Sequence, residues 1–284
     1  MNIGISYRNL RKERGLTLMD VTTTGELSYS QLSKFERGET SITIHHLVNL
    51  VHNLGISFAE FMTVIEEYNS PYKFYIEEID SAYKTNDINK LRQIVRLQES
   101  SFVETGLIFF RYNAIMTKIL INDLVSIEIE DEEKILISEY IINCSIWTTY
   151  EIILLGNSFR GLTTALQETF VREMIRKLPN IKEGDIVKNH IFNILINVCF
   201  DRLRKGKSKN VKKILSAIKP ELSTNAYYFK IRVLFLDGLI QIMEGQFEEG
   251  VKSCERAIDI FALFDKAFEK LHKKELDTYR SIYS

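Results

Sequence analysis

Leu27-Ser28-Tyr29-Ser30-Gln31-Leu32-Ser33-Lys34-Phe35-Glu36-Arg37-Gly38 is the stretch on which the fold of the first part of the chain turns. Ser28 is a short hydroxyl residue of the kind that caps a helix N-terminus, and Gly38 supplies the stop, which predicts a helix over residues 28–37. Leu32 and Phe35 fall on one face of that helix. Val21 is the nearest apolar residue upstream that can meet them, on a helix expected over residues 17–24, capped by Thr17 and broken by Gly25. Further out, a first helix over residues 3–14 carries Ile3, Tyr7 and Leu10 on one face and ends at Gly15. A fourth starts at Ser41 or Thr43 and runs through Leu47, Leu50, Val51 and Leu54 to Gly55. A fifth starts at Ser57 and carries Phe58, Phe61 and Ile65.

The run Tyr68-Asn69-Ser70-Pro71 is the best boundary in the chain. A residue before proline is pushed out of α conformation, and Asn and Ser favour turns. It divides the chain into residues 1–68, a linker at 69–72 and a second domain at 73–284. From 72 onward the helical period continues with short interruptions, near Thr105–Gly106, Glu128–Glu132, Asn157–Gly161, Pro179–Gly184 and Pro220–Asn225 among others. With only 3 prolines and 13 glycines in 284 residues, this is an all-α succession of helices of roughly 12–20 residues. One segment is more specific: Gly238, Gly250 and Ala257 are small, and Phe247 follows the turn glycine Gly245. It resembles one tetratricopeptide unit, in which small residues let antiparallel helices approach and an aromatic fills the wedge. The family's tryptophan position is Leu234 here, and one usual leucine position is Asp237.

Composition excludes more than it identifies. Apolar residues make up 45 % and charged residues 26 %, with a net charge of −1. The chain is globular, and it is not a basic coat for nucleic acid. No basic-then-apolar leader begins it, and no apolar run approaches the roughly 20 residues that span a bilayer. Cys144, Cys199 and Cys254 sit in apolar helical contexts and read as reduced core thiols of a cytoplasmic protein. They form no pattern with histidine at zinc spacing. His45, His46 and His52 read as exposed helix residues, and Glu128–Glu133 as a solvated loop. No metal, no cofactor and no catalytic constellation is expected, so the chain does not read as an enzyme.

The layout from Leu16 to Gly38 resembles the helix-turn-helix of phage repressors, and residues 1–68 as a whole a five-helix λ-repressor-like domain. The physics supports that resemblance: the second helix opens with short polar residues, and its N-terminus aims free N–H groups and positive dipole outward. The resemblance implies double-stranded DNA as partner. Tyr29, Ser30 and Lys34 are expected at base edges, Gln31 near backbone or base, Ser28 in the same first turn, and Arg8, Arg14 and Arg37 at the backbone. Arg11 and Glu36 match the ion pair that fixes the first helix against the third. Leu18 departs from the pattern, because a glutamine there commonly holds phosphate; that contact is lost or moved to Thr17.

The sequence Leu27–Glu39, the helix Leu47–Leu54, the following Ile56-Ser57-Phe58-Ala59-Glu60-Phe61 and the overall length closely resemble the Rgg family of transcriptional regulators. The match is sharp over residues 1–65 and architectural beyond. It implies a homodimer on an inverted-repeat operator and, for several members, a C-terminal repeat domain that binds a short signalling peptide in quorum sensing. Some relatives carry an inter-subunit disulfide in the DNA-binding domain, but no cysteine precedes Cys144 here. Polar residues on or beside apolar helices are the candidates for a peptide groove on the concave face: Arg111, Asn157, Arg160, Asn193, Asn197, Tyr228 and Arg232. Asparagine offers a peptide backbone both donor and acceptor, and arginine suits carboxylates. Internal hydrogen bonding accounts for such residues equally well. A second reading also stays open, in which the helical domain only dimerises or binds a protein or small-molecule effector.

Overall fold

A computed structural model describes residues 3–22, 27–65, 71–125 and 130–283. Every regular element among the described residues is helical, and the chain divides into two compact units, Met1–Ser81 and Ala82–Ser284.

The first unit holds α1 (Ile3–Glu13), α2 (Leu18–Val21), α3 (Tyr29–Glu36), α4 (Ile44–Asn53), α5 (Phe58–Val64) and the start of α6 (Pro71–Lys84). Its starts are set by hydroxyl caps. Thr17, Ser28 and Ser57 each close a capping box, with Asp20, Gln31 and Glu60 reaching back. Thr43 caps α4 and settles the choice between it and Ser41. Gly15 and Gly38 leave their helices at φ 70° and 76°, conformations that side chains with a Cβ resist. The second helix is shorter than its periodicity predicts. It ends at Val21, where Thr22 takes over as C-cap and turns its hydroxyl back to the Leu18 carbonyl. Gly25 and the Tyr68–Ser70 part of the predicted boundary lie outside the described residues. Tyr7, Leu32, Val51 and Phe61 form the dry centre of this unit, and the Tyr7 hydroxyl donates to the Leu50 carbonyl at 3.3 Å.

The second unit begins with the end of α6 and continues through α7 (Ile88–Thr105), α8 (Ile108–Val125), α9 (Asp131–Asn143), α10 (Thr149–Ser158), α11 (Thr164–Lys177), α12 (Ile186–Arg204), α13 (Ser208–Ile218), α14 (Tyr227–Met243), α15 (Phe247–Ala262) and α16 (Lys266–Tyr283). Pro179 and Pro220 close α11 and α13 through short 3-10 turns, as residues lacking an N–H must. The even-numbered helices α8, α10, α12, α14 and α16 are successive neighbours. Hairpin partners back three of them: α7 on α8, α13 on α12 and α15 on α14. Flanked on three sides, α12 and α14 bury residues on several faces, which explains why their apolar residues are not confined to one stripe.

The α14–α15 crossing is tight. A Cβ on Gly238 would stand 2.8 Å from the Gly250 carbonyl oxygen, and one on Gly250 would stand 2.5 Å from the Gly238 carbonyl oxygen. Cys254 and Ala257 are fully buried beside them. No single helix among the described residues is long and apolar enough to cross a membrane.

Candidate nucleic-acid interface and ligand-binding stripe

On α3, the face opposite Leu32 and Phe35 is open to solvent. Ser28, Tyr29, Ser30, Gln31 and Lys34 are all exposed, Tyr29 by 55 % despite its size. Their duties differ. Ser28 and Gln31 are committed to the cap: the Gln31 amide oxygen accepts from the Ser28 N–H and hydroxyl at 3.1 and 3.0 Å. A helix whose start is fixed this way presents Tyr29, Ser30 and Lys34 from a rigid platform. Thr17 is likewise exposed but tied to Asp20, its hydroxyl 2.7 Å from the carboxylate.

The four arginines of this unit differ in their surroundings. Arg11 is buried, and its Nε and Nη2 each lie 2.6 Å from a Glu36 carboxylate oxygen, while Nη1 donates to the Leu16 carbonyl. This bidentate pair joins α1 to α3, and the carboxylate holds the guanidinium above its ordinary pKa. Arg14 is exposed yet donates to the Leu54 carbonyl at 2.6 Å, so it caps the C-terminal end of α4. Arg37 is exposed and held by both Glu39 oxygens, at 2.5 and 2.8 Å, and by the Ser33 hydroxyl. A phosphate reaching Arg37 competes with Glu39. Arg8 is half-buried on α1.

In the second unit, four of the seven groove candidates gather in one cluster. Arg232 is buried, and its Nη1 and Nη2 donate to the side-chain oxygens of Asn193 at 3.0 Å and Asn197 at 2.7 Å. Tyr228 lies one turn before it, with the guanidinium carbon 5.6 Å from the ring centroid. Burial pulls the Arg232 guanidinium below its ordinary pKa. Asn193 is half-buried and Asn197 exposed, so these two sit at the edge between interior and solvent.

The other candidates do not join that cluster. Asn157 on α10 is half-buried with its amide nitrogen 3.6 Å from the Met116 sulfur. Arg160 is exposed and reaches Asp123 at 3.2 Å, an oxygen that the Tyr83 hydroxyl also bonds. Arg111 stands at the α7–α8 hairpin, 6.0 Å from the Phe102 ring centroid.

Other residues of this region were only partly legible from spacing. His272 on α16 is buried among Phe235, Phe261 and Phe268, with Nδ1 2.8 Å from the Phe268 carbonyl. Burial lowers its pKa. Phe200 and Phe268 contribute rings to the Arg232 environment. Phe200 lies seven residues beyond Asn193, on the same face, and that spacing was readable. The arrival of α16 over α14 was not. Among the described residues, no three His, Cys, Asp or Glu side chains gather to hold a metal ion.

Comparisons with known proteins agree with this arrangement. A family model described as the HTH-type transcriptional regulator Rgg, C-terminal domain, matches residues 88–274. A helix-turn-helix model matches residues 8–61. An HTH-type transcriptional regulator of Sinorhizobium fredii, y4dJ, is 35 % identical over 65 residues, which cover 23 % of this chain and 84 % of that protein. The SHP pheromone receptor Rgg2 of Streptococcus dysgalactiae superposes with a TM-score of 0.82 at 22 % identity, over 97 % of this chain and 99 % of its own. PrgX in complex with cCF10 superposes with a TM-score of 0.76 at 15 % identity, over 100 % of both chains.

Proposed function

Because the chain belongs to the Rgg family of helix-turn-helix transcriptional regulators, we propose that it acts in the cytoplasm as a homodimer on an inverted-repeat operator, controlled by a short peptide bound along α10, α12 and α14. On the DNA side, Tyr29, Ser30 and Lys34 read base edges, because they are the exposed residues of α3 not committed to its cap. Lys34 suits a guanine edge and Tyr29 a thymine methyl. Arg8 and Arg37 contact phosphates, and Arg14 does so only from its seat on the end of α4. A dimer sets two α3 helices about one helical turn of DNA apart, or a small multiple of it.

On the ligand side, one observation supports the reading best. Asn193 and Asn197 place two amides on the open edge of α12, anchored from behind by Arg232. A purely structural hydrogen bond would be expected to bury both amides, since exposed ones gain little from the pairing. That SHP pheromone receptors and the cCF10 complex of PrgX share this fold favours a peptide as the occupant.

Footprinting on genomic fragments tests the DNA half. Discrete protection of an inverted repeat is expected. Lys34→Ala and Tyr29→Ala should reduce discrimination against random DNA, whereas Arg8→Ala should weaken both alike and flatten the salt dependence. Absence of any discrete site would sink the reading.

A further inference from the structure

Arg232 is a buried cation with an unusual set of neighbours. Its guanidinium carbon lies 5.7, 5.6 and 5.8 Å from the ring centroids of Phe200, Tyr228 and Phe268. Its Nη1 and Nη2 donate to the amide oxygens of Asn193 and Asn197, and among the described residues its buried Nε has no acceptor. No carboxylate pairs with it there, in contrast to Arg202 with Glu168 and Arg204 with Glu275.

Chemistry then dictates the orientation of both amides. A guanidinium has only donors, so each asparagine must turn its oxygen toward Arg232 and its NH2 away. Asn193 and Asn197 are four residues apart on α12, hence on one face. The result is a pair of N–H donors at the open edge of the helix, backed by a positive charge with which no carboxylate pairs among the described residues.

We propose that Arg232 is a positioning residue that locks Asn193 and Asn197 as donors, and that these two amides read a carboxylate of the bound ligand. The inference rests on the ligand-stripe reading above and narrows it. A neutral carbonyl also accepts N–H bonds, but only an anion gains from the uncompensated guanidinium behind them.

The test uses the full-length protein and two pools of short synthetic peptides with identical apolar and aromatic content. One pool carries free C-termini and Asp or Glu. The other is C-terminally amidated and carries Asn or Gln at those places. Equilibrium dialysis read by mass spectrometry should show acidic peptides retained about tenfold or more over their neutral counterparts. Asn193→Asp and Asn197→Asp keep an acceptor for Arg232 and add a charge pair, but they remove the donor and repel a carboxylate. Their melting temperature should hold or rise while retention of the acidic pool falls about tenfold or more. A merely structural role for these asparagines predicts unchanged retention instead. Arg232→Gln frees the amides to turn and should erase the preference between pools. Equal retention of both pools by the wild type, or wild-type retention by the two Asp variants, overturns the inference and leaves the stripe standing. Retention of neither pool by the wild type removes the stripe, and the carboxylate subsite with it.

Discussion

The Arg11–Glu36 pair offers the sharpest check on how the DNA-binding unit is built. Both side chains are nearly dry, at 7 % and 4 % exposure, and they meet through two 2.6 Å contacts. Replacing Glu36 by Ala strands a guanidinium whose remaining partner is the Leu16 carbonyl. Breaking one side of a buried pair costs about 3–5 kcal/mol. A unit of residues 1–81 has in all about 4–12 kcal/mol at roughly 0.05–0.15 kcal/mol per residue. Glu36→Ala should therefore consume roughly a quarter or more of the unit's stability, and a loss of about 3 kcal/mol lowers its melting temperature by roughly 12 °C or more. Replacing both partners, Arg11→Met with Glu36→Leu, should return stability to within about 1 kcal/mol of wild type, because well-packed apolar groups replace buried ion pairs at little cost. Amide hydrogen exchange read by mass spectrometry on the full chain localises the effect. Protection should fall in α1, α3 and α4 and persist in α12 and α14. DNA binding should fail in the single variant and recover in the double. If Glu36→Ala costs less than about 1 kcal/mol, the pair does not hold α1 on α3, and the argument is wrong.

Three further outcomes follow from the geometry. Glu39→Gln releases Arg37 from its bidentate carboxylate and should tighten binding to operator and random DNA alike, with a steeper salt dependence, in a fluorescence anisotropy titration. Gly250→Ala pushes a methyl against the Gly238 carbonyl and the Ile242 backbone, where nothing flexible can yield. It should cost about 3 kcal/mol, whereas Gly156→Ala meets only the tip of Ile194 and should fall within about 1 kcal/mol of wild type in urea melts. His272 has its pKa lowered by burial from the ordinary 6.5, so the unfolded chain takes up the proton first. Its contribution to stability is complete above pH 6.5 and is lost as the pH falls toward the lowered folded value. His272→Phe should flatten the decline of melting temperature over that acidic window.

Local chemistry made the first unit legible. Ser28, Thr43, Ser57, Gly15 and Gly38 fix helix ends through bonds and dihedrals that reach only a few residues, so a reading of neighbours along the chain finds them. The tight α14–α15 crossing was readable for the same reason: the lack of a side chain at Gly238 and Gly250 is itself the signal. The end of α2 was less so, since Thr22 could extend the helix or cap it, and its bond back to Leu18 decides. In the second unit, sequence singled out Asn193, Asn197, Tyr228 and Arg232 as polar interruptions of apolar helices, but it treated them as parallel candidates for one groove. Only the packing of α14 against α12 ranks them, with Arg232 inside and the two asparagines at the edge. Packing likewise sent Arg160 to Asp123, tied Arg14 to the end of α4, and brought Phe268 and His272 of α16 over α14. Helix period states which side of a helix is apolar. It does not state which neighbour covers that side, because that depends on contacts between residues tens of positions apart whose pairing no local preference encodes.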